Sequence, residues 1–214
     1  MAKGKRLKLG VLLSGGGTTL QNLIDRIAAG GIEAEIAVVI SSLSKVFGCE
    51  RARQAGLPLR VIRKKDLPDV ETFSEEIART LDEFGVDLAV QAGFMCYWKL
   101  PSRWMGRVMN IHPALIPAFC GKGMYGHFVH EAAVARGVKL SGCSVHFVDN
   151  EYDAGPIILQ RAVEVRDDDT PDTLAERVLS AEREIYPEAV RLYASGHLRI
   201  EGRRVCVLTE TDLN

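Results

Sequence analysis

Leu7-Lys8-Leu9-Gly10-Val11-Leu12-Leu13-Ser14-Gly15-Gly16-Gly17-Thr18-Thr19-Leu20 decides the fold of this chain. An apolar run ends at a glycine-rich turn and passes into Leu20, Leu23, Ile24 and Ile27 at helical spacing, so the stretch reads as strand, loop and helix. The same alternation continues outward. Ile36 to Ile40 is a second buried strand, Gly48 to Ala55 a helix stopped by Gly56, and Leu59 to Ile62 a third strand. Phe73, Ile77, Leu81 and Phe84 mark a helix from Val70 to Phe84, Gly85 ends it, and Asp87 to Gln91 forms the next strand. Val108 to Ile111 follows and carries Asn110-Ile111-His112-Pro113 at its end.

Strands and helices alternating at this spacing predict an α/β fold. The expected core is a Rossmann-like, mostly parallel sheet with helices on both faces, which binds ligands at the carboxyl ends of its strands. The glycine loop, the Ala92 to Met95 turn and His112 all fall on that edge. After Gly137 the pattern changes: Cys143 to Val148 and Ile157 to Val165 read as strands, Thr170 to Tyr193 as a long helix, and Leu198 to Leu208 as a hairpin turning at Glu201-Gly202. No repeat, low-complexity stretch or linker marks a domain cut, so residues 1–214 read as a single domain.

The 214 residues, 47% hydrophobic and 26% charged, suffice for one sizeable core. A net charge of -1 lacks the basic excess of a nucleic-acid-binding surface, and Lys3, Lys5, Arg6 and Lys8 read as a solvated N-terminus. No run approaches the roughly 20 apolar residues of a membrane helix, so the expected setting is cytoplasmic, without membrane or nucleic-acid partners. The five cysteines are scattered and contain no C-x-x-C pair, which argues for reduced thiols and against a disulfide framework or zinc knuckle.

A loop of backbone N–H groups opening a helix is suited to an anion. A dinucleotide fits less well, because Leu20 stands where a third glycine is needed and Ile40-Ser41-Ser42 supplies no acidic residue at the second strand's end. No lysine follows the glycines, so a nucleotide P-loop is not supported either. A phosphate monoester and a purely structural turn remain open.

His112 precedes Pro113, whose ring stiffens the backbone on both sides. Asn110 lies two residues earlier in extended chain, so the two side chains share a face. An amide donor beside an imidazole is suited to holding an oxyanion. Asp153, in Tyr152-Asp153-Ala154-Gly155-Pro156, reads as either a third member of this set or a turn-stabilising residue. His146 is either a neighbour of His112 or a core histidine. His127 and His130, three apart, could share a helix face, but no third ligand is evident and no metal is expected.

These residues carry a family resemblance. The loop Ser14 to Gln21, Phe47-Gly48-Cys49-Glu50-Arg51-Ala52, Ala92-Gly93-Phe94-Met95, Asn110-Ile111-His112-Pro113, Ser144-Val145-His146-Phe147-Val148, Asp153-Ala154-Gly155-Pro156, and Glu182 with Ile185-Tyr186-Pro187 occur in the order seen in phosphoribosylglycinamide formyltransferases. The chain resembles that family from Leu7 to about Gly196. The resemblance implies the formyltransferase fold, with a nucleotide-phosphate-binding half over about residues 7–112 and a folate and catalytic half over about residues 113–208.

It also implies transfer of a formyl group from 10-formyltetrahydrofolate, as co-substrate, to the amine of glycinamide ribonucleotide in purine biosynthesis. Asn110 and His112 would stabilise the tetrahedral intermediate, with Asp153 raising the pKa of His112 and relaying a proton. Gly17, Thr18, Thr19 and Glu182 would bind the ribonucleotide. Met95, Cys96, Tyr97, Trp98, Asn110, Val148, Asp149, Asn150 and Asp153 would line the folate site.

Members of the family often have Met-Arg where this chain has Met95-Cys96, and Lys64 and Lys65 are candidates for a folate carboxylate. The glycines of Ala118 to His130 suggest a mobile loop near the site. Both substrates are small molecules, and the expected assembly is a monomer or homodimer. Two related enzymes, formyltetrahydrofolate deformylase and methionyl-tRNA formyltransferase, usually carry an added N-terminal or C-terminal domain. A non-catalytic phosphosugar-binding module would leave Asn110, His112 and Asp153 without a role.

Overall fold

The structure, a computed structural model, describes residues 6–212, so Lys3 and Lys5 lie outside the described residues. The chain divides into two compact units, one up to Met109 and one from Asn110 onward.

In the first unit β1 (Leu7–Leu13) is the central strand. Leu9, Val11, Leu12 and Leu13 are all fully buried, as expected of a strand covered on both faces. It pairs in parallel with β2 (Ala34–Ser41) on one side and β4 (Leu88–Gln91) on the other, and β2 pairs in parallel with β3 (Leu59–Val61). The order β3-β2-β1-β4 is the Rossmann-like parallel arrangement read from the sequence. Its crossovers are α1 (Thr18–Ala28), α2 (Phe47–Gln54) and α3 (Val70–Glu83). Leu20 and Leu23 bury one face of α1, and Phe73, Ile77, Ala78 and Leu81 bury one face of α3. Asp69 starts α3 by accepting a hydrogen bond from Thr72 N at 2.7 Å.

β5 (Val108–His112) runs through the division and delivers Asn110 and His112 into the second unit. There the strand order is β5-β6-β7-β9-β8, with β6 (Leu140–Phe147), β7 (Ile157–Glu164), β8 (Leu198–Glu201) and β9 (Arg204–Val207). β6 and β7 are antiparallel, β7 and β9 are parallel, and β8 and β9 form the expected antiparallel hairpin. The mostly parallel fold therefore acquires its antiparallel pairs after Gly137. The long helix α5 (Pro171–Ala194) packs on β6 and β7 and opens with a capping box between Thr170 and Thr173, with Pro171 in its first turn.

One element departs from the sequence reading. The stretch read as loop through His130 already contains the first turn of α4 (His127–Arg136), which ends at Gly137. Val129, His130 and Ala133 are buried, whereas Phe128 is exposed, so the apolar residues do not form a single clean stripe. Gly121, Gly123 and Gly126 immediately before the helix further obscured its start.

Candidate functional site

The glycine loop of the first unit is shaped by backbone contacts. Gly17 precedes α1 at φ +73°, and no side chain caps that helix. The first-turn N–H groups therefore lack helical acceptors and are available to an anion. A Cβ on Gly17 would lie 2.7 Å from Gly48 Cα, so close packing with α2 requires glycine here as much as φ does. Arg51 braces the loop, donating from Nε to Gly16 O at 3.0 Å and from Nη1 to Gln21 Oε1 at 3.1 Å while lying over the Phe47 ring. Thr18 is exposed and Thr19 half-buried.

Met95 is 55% exposed, and its N–H donates to Ser14 Oγ at 2.8 Å. Cys96 and Tyr97 are half-buried. Trp98 follows them, and its side chain turns inward. The indole is 2% exposed, donates to Ser74 O at 3.1 Å and packs against Trp104, so it belongs to the core. Lys64 and Lys65 lie in a short 3-10 turn and are exposed.

The second unit brings Asn110, His112 and Asp153 together and adds His146. Asp153 sits with its carboxylate between two imidazoles: Oδ2 is 3.6 Å from His112 Nδ1 and Oδ1 is 3.6 Å from His146 Nε2. These are ion-pair rather than hydrogen-bond distances. Gly121 N donates to Oδ2 at 2.9 Å. Asn110 Nδ2 is 3.2 Å from His146 Nε2, while His146 Nδ1 is 2.9 Å from Phe147 O. A carbonyl only accepts, so His146 carries its proton on Nδ1, and Nε2 accepts from Asn110. By the same argument His112 Nε2, 2.8 Å from Phe119 O, carries a proton and donates it to that carbonyl.

In these tautomers the remaining nitrogen of each ring faces Asp153. A proton taken up on either would lie beside a negative charge, which gives the cluster the chemistry of a proton relay. The site is largely dry, with His112 3% and His146 2% exposed. Burial holds the His112 pKa below the ordinary histidine range, overcoming the charge of Asp153 and the hydrogen bond to Phe119, both of which raise it. Asp153 acts on His112 in the expected direction, but the net shift is the reverse of the expectation because burial dominates. Burial also pushes Asp153 upward, but His146, His112 and the Gly121 N–H outweigh it and hold the carboxyl below its usual range.

The backbone around the cluster is tightly held. Asp153 has φ +54° and Phe119 φ +47°, left-handed conformations that are uncommon for residues with side chains. A Cβ on Gly155 would lie 1.8 Å from Phe147 O, so the turn after Asp153 admits only glycine. Behind Pro113, the fully buried Ser144 donates to Ala114 O at 2.7 Å and accepts from Ile116 N at 3.0 Å and from Gln160 Nε2 at 2.8 Å. Val148 and Asp149 are half-buried and Asn150 is exposed, with Asp149 Oδ1 accepting from Glu151 N at 2.9 Å.

Glu182 lies on α5, and burial raises its carboxyl to about 7. The neighbouring Cys143 thiol is pushed to about 12 by burial and then by the Glu182 charge. On α4, His127 faces Glu131 at 3.6 Å and Asp172 at 3.8 Å. His130 is buried, and its Nδ1 has no hydrogen-bond partner among the described residues. No group of three or more His, Cys, Asp or Glu among the described residues could hold a metal ion, and no helix among them is long and apolar enough to cross a membrane.

The sequence left His146 undecided and gave no role to Phe119 or Gly121. Ser144 and His146 alternate with apolar residues along β6, which was the available sign that both face one side.

The first unit offers an anion-accepting loop, and the second an Asn, His and Asp cluster of the kind suited to acyl-group transfer. A family model described as formyl transferase matches residues 7–190. The chain is similar to the trifunctional purine biosynthetic protein adenosine-3 of Bos taurus, 43% identical over 209 residues, which cover 96% of this chain and 20% of that protein. It thus spans about a fifth of the length of that relative. The chloroplastic phosphoribosylglycinamide formyltransferase of Arabidopsis thaliana is 38% identical over 189 residues, 87% of this chain and 65% of that one. Among solved structures, glycinamide ribonucleotide transformylase 1 of Symbiobacterium toebii matches with a TM-score of 0.91 at 43% identity, covering 97% of this chain and 96% of that one. The chain belongs to the formyl transferase family.

Proposed function

We propose that this protein transfers the formyl group of 10-formyltetrahydrofolate to the amine of glycinamide ribonucleotide, a step of purine biosynthesis. The observation that carries the reading is the placement of Asp153 between His112 and His146, with Asn110 beside them. It is supported by the activity for which relatives matched over most of the chain are named.

The ribonucleotide amine attacks the formyl carbon, and the carbonyl oxygen becomes an oxyanion. Asn110 Nδ2 and His112 Nε2–H donate to it. The Phe119 carbonyl, which now accepts from Nε2, must yield that bond to the oxyanion. The attacking nitrogen then gives up a proton, which passes through a water held by Asp153 to the folate nitrogen as the C–N bond breaks. The ionised Asp153 is the acceptor, and the low pKa of its carboxyl keeps it ready at neutral pH.

The backbone at Gly17, Thr18 and Thr19 takes the phosphate of the ribonucleotide, and Glu182 its ribose hydroxyls. The Met95, Cys96 and Tyr97 turn and the backbone of Trp98, together with Val148, Asp149, Asn150 and Asp153, recognise the folate.

The test is folate deformylation measured with and without glycinamide ribonucleotide. Turnover that requires the ribonucleotide and yields its formylated product supports the transferase. Hydrolysis at the same rate without it would replace this reading with a deformylase.

A further inference from the structure

The C-terminal hairpin lies beyond residues 7–190, where the family model ends, yet it reaches the turn that carries Asp153. Arg203 Nη2 donates to Ala154 O at 2.8 Å. The hairpin is placed for this by two features. Ile157 of β7 pairs with Arg204 of β9, and Gly202, at φ +61°, turns the chain between the paired Glu201 and Arg204. Arg203 therefore projects from the tip of the hairpin onto the Ala154–Gly155 peptide, one peptide beyond Asp153.

That peptide needs holding. Asp153 occupies a left-handed conformation that costs a side-chain-bearing residue free energy, and such a conformation persists only where its surroundings enforce it. On the far side the turn is fixed by the close approach of Gly155 to Phe147 O and by the hydrogen bond from Phe147 N to Pro156 O at 2.9 Å. Arg203 supplies a second fixed point on the carbonyl between Asp153 and Gly155. With both in place, the carboxylate lies equidistant from His112 and His146 and accepts from Gly121 N.

We infer that Arg203 is a positioning residue for the transfer reaction, tethering the Asp153 turn so that the carboxylate keeps its place between the two imidazoles. This inference rests on the proposed role of Asp153. When the tether is lost the carboxylate spends less time near the groups that stabilise its ionised form, so its pKa rises toward the ordinary range. The acid limb of the rate profile then moves to higher pH.

The experiment uses the full chain with both substrates. Arg203→Ala is expected to lower kcat about fivefold, the scale of one net hydrogen bond. It should leave KM for the ribonucleotide unchanged and shift the acid limb of kcat upward in pH. Arg203→Lys, which keeps a cationic donor, should recover part of both losses. In an Asp153→Asn background Arg203→Ala should cost nothing further, because the group it positions is gone.

A parental kcat and acid limb in Arg203→Ala, with Asp153→Asn inactive, would overturn the inference and leave the role of Asp153 intact. A fall in kcat without movement of the acid limb would also overturn it, because general loosening of the fold would suffice. Near-parental activity in Asp153→Asn would instead sink the underlying reading, whatever Arg203→Ala does.

Discussion

The two units prepare for ligands in opposite ways. In the first, the candidate site is backbone: Gly17 at φ +73° ahead of an uncapped helix, with Arg51 bracing the loop through Gly16 O. In the second it consists of side chains, with His112, His146, Asn110 and Asp153 packed in a dry cluster where burial holds the His112 pKa down and the facing imidazoles hold that of Asp153 down. A site made of peptide groups does not titrate and is damaged by bulk. A site made of imidazoles and carboxylates tolerates no change of functional group and responds to pH. The first is suited to binding a fixed charge, and the second to moving a proton.

The sharpest way to break this division is Asp153→Asn. The amide fits the same space but cannot accept the proton, so kcat should fall by about 10³, within the usual range for loss of a positioned acid or base. KM for the ribonucleotide should change little, and steady-state kinetics with each substrate varied in turn will show it. A variant within a factor of two of the parent would refute the assigned role.

A smaller effect separates the units by pH. Glu182, in the second unit, has a carboxyl raised to about 7 by burial, against an ordinary value near 4.5. The folded state therefore binds this proton more tightly than the unfolded chain. The stability it contributes is full below about pH 4.5 and is lost as pH rises through about 7. The size of the shift corresponds to a loss on the order of 3 kcal/mol. Denaturant unfolding at pH 5 and pH 8 should show a smaller drop for Glu182→Gln than for the parent. Equal drops would place the carboxyl outside the buried environment described for it.

Much of the first unit was legible because its central strands are largely buried and so form nearly continuous apolar runs, as Leu9 to Leu13 does. Boundaries moved by one or two residues, except for β6, which begins at Leu140 rather than Cys143 because Leu140 is exposed at the strand's start. α4 was missed because its apolar residues do not keep to one face. In the site, Asn110 and His112 could be paired from their spacing on one strand. Asp153 was brought to them by family resemblance, since its approach depends on tertiary structure. The inward turn of the Trp98 ring was not legible, because an aromatic beside a binding turn reads the same whether it faces ligand or core. The net pKa of His112 could not be inferred, because burial has no local sequence signature. Phe119 O and Gly121 N are backbone groups, whose partners depend on chain path rather than residue type.

The gentlest probe acts on the backbone site. Gly17→Ala adds one carbon at a left-handed position where L-residues are disfavoured by roughly 1–2 kcal/mol. That carbon would meet Gly48 Cα at 2.7 Å, and main chain cannot rotate away as a side chain can. The loop must therefore shift, and the N–H groups of Gly17, Thr18 and Thr19 turn off the phosphate. About 1.4 kcal/mol of lost binding corresponds to a tenfold rise in KM for the ribonucleotide. The parameters expected to stay constant are kcat at saturating ribonucleotide, KM for the folate and the pH dependence of kcat, because the proton-moving groups lie in the other unit. A Gly17→Ala enzyme with parental KM for the ribonucleotide but reduced kcat would reverse the assignment, making this loop part of the chemistry rather than of binding.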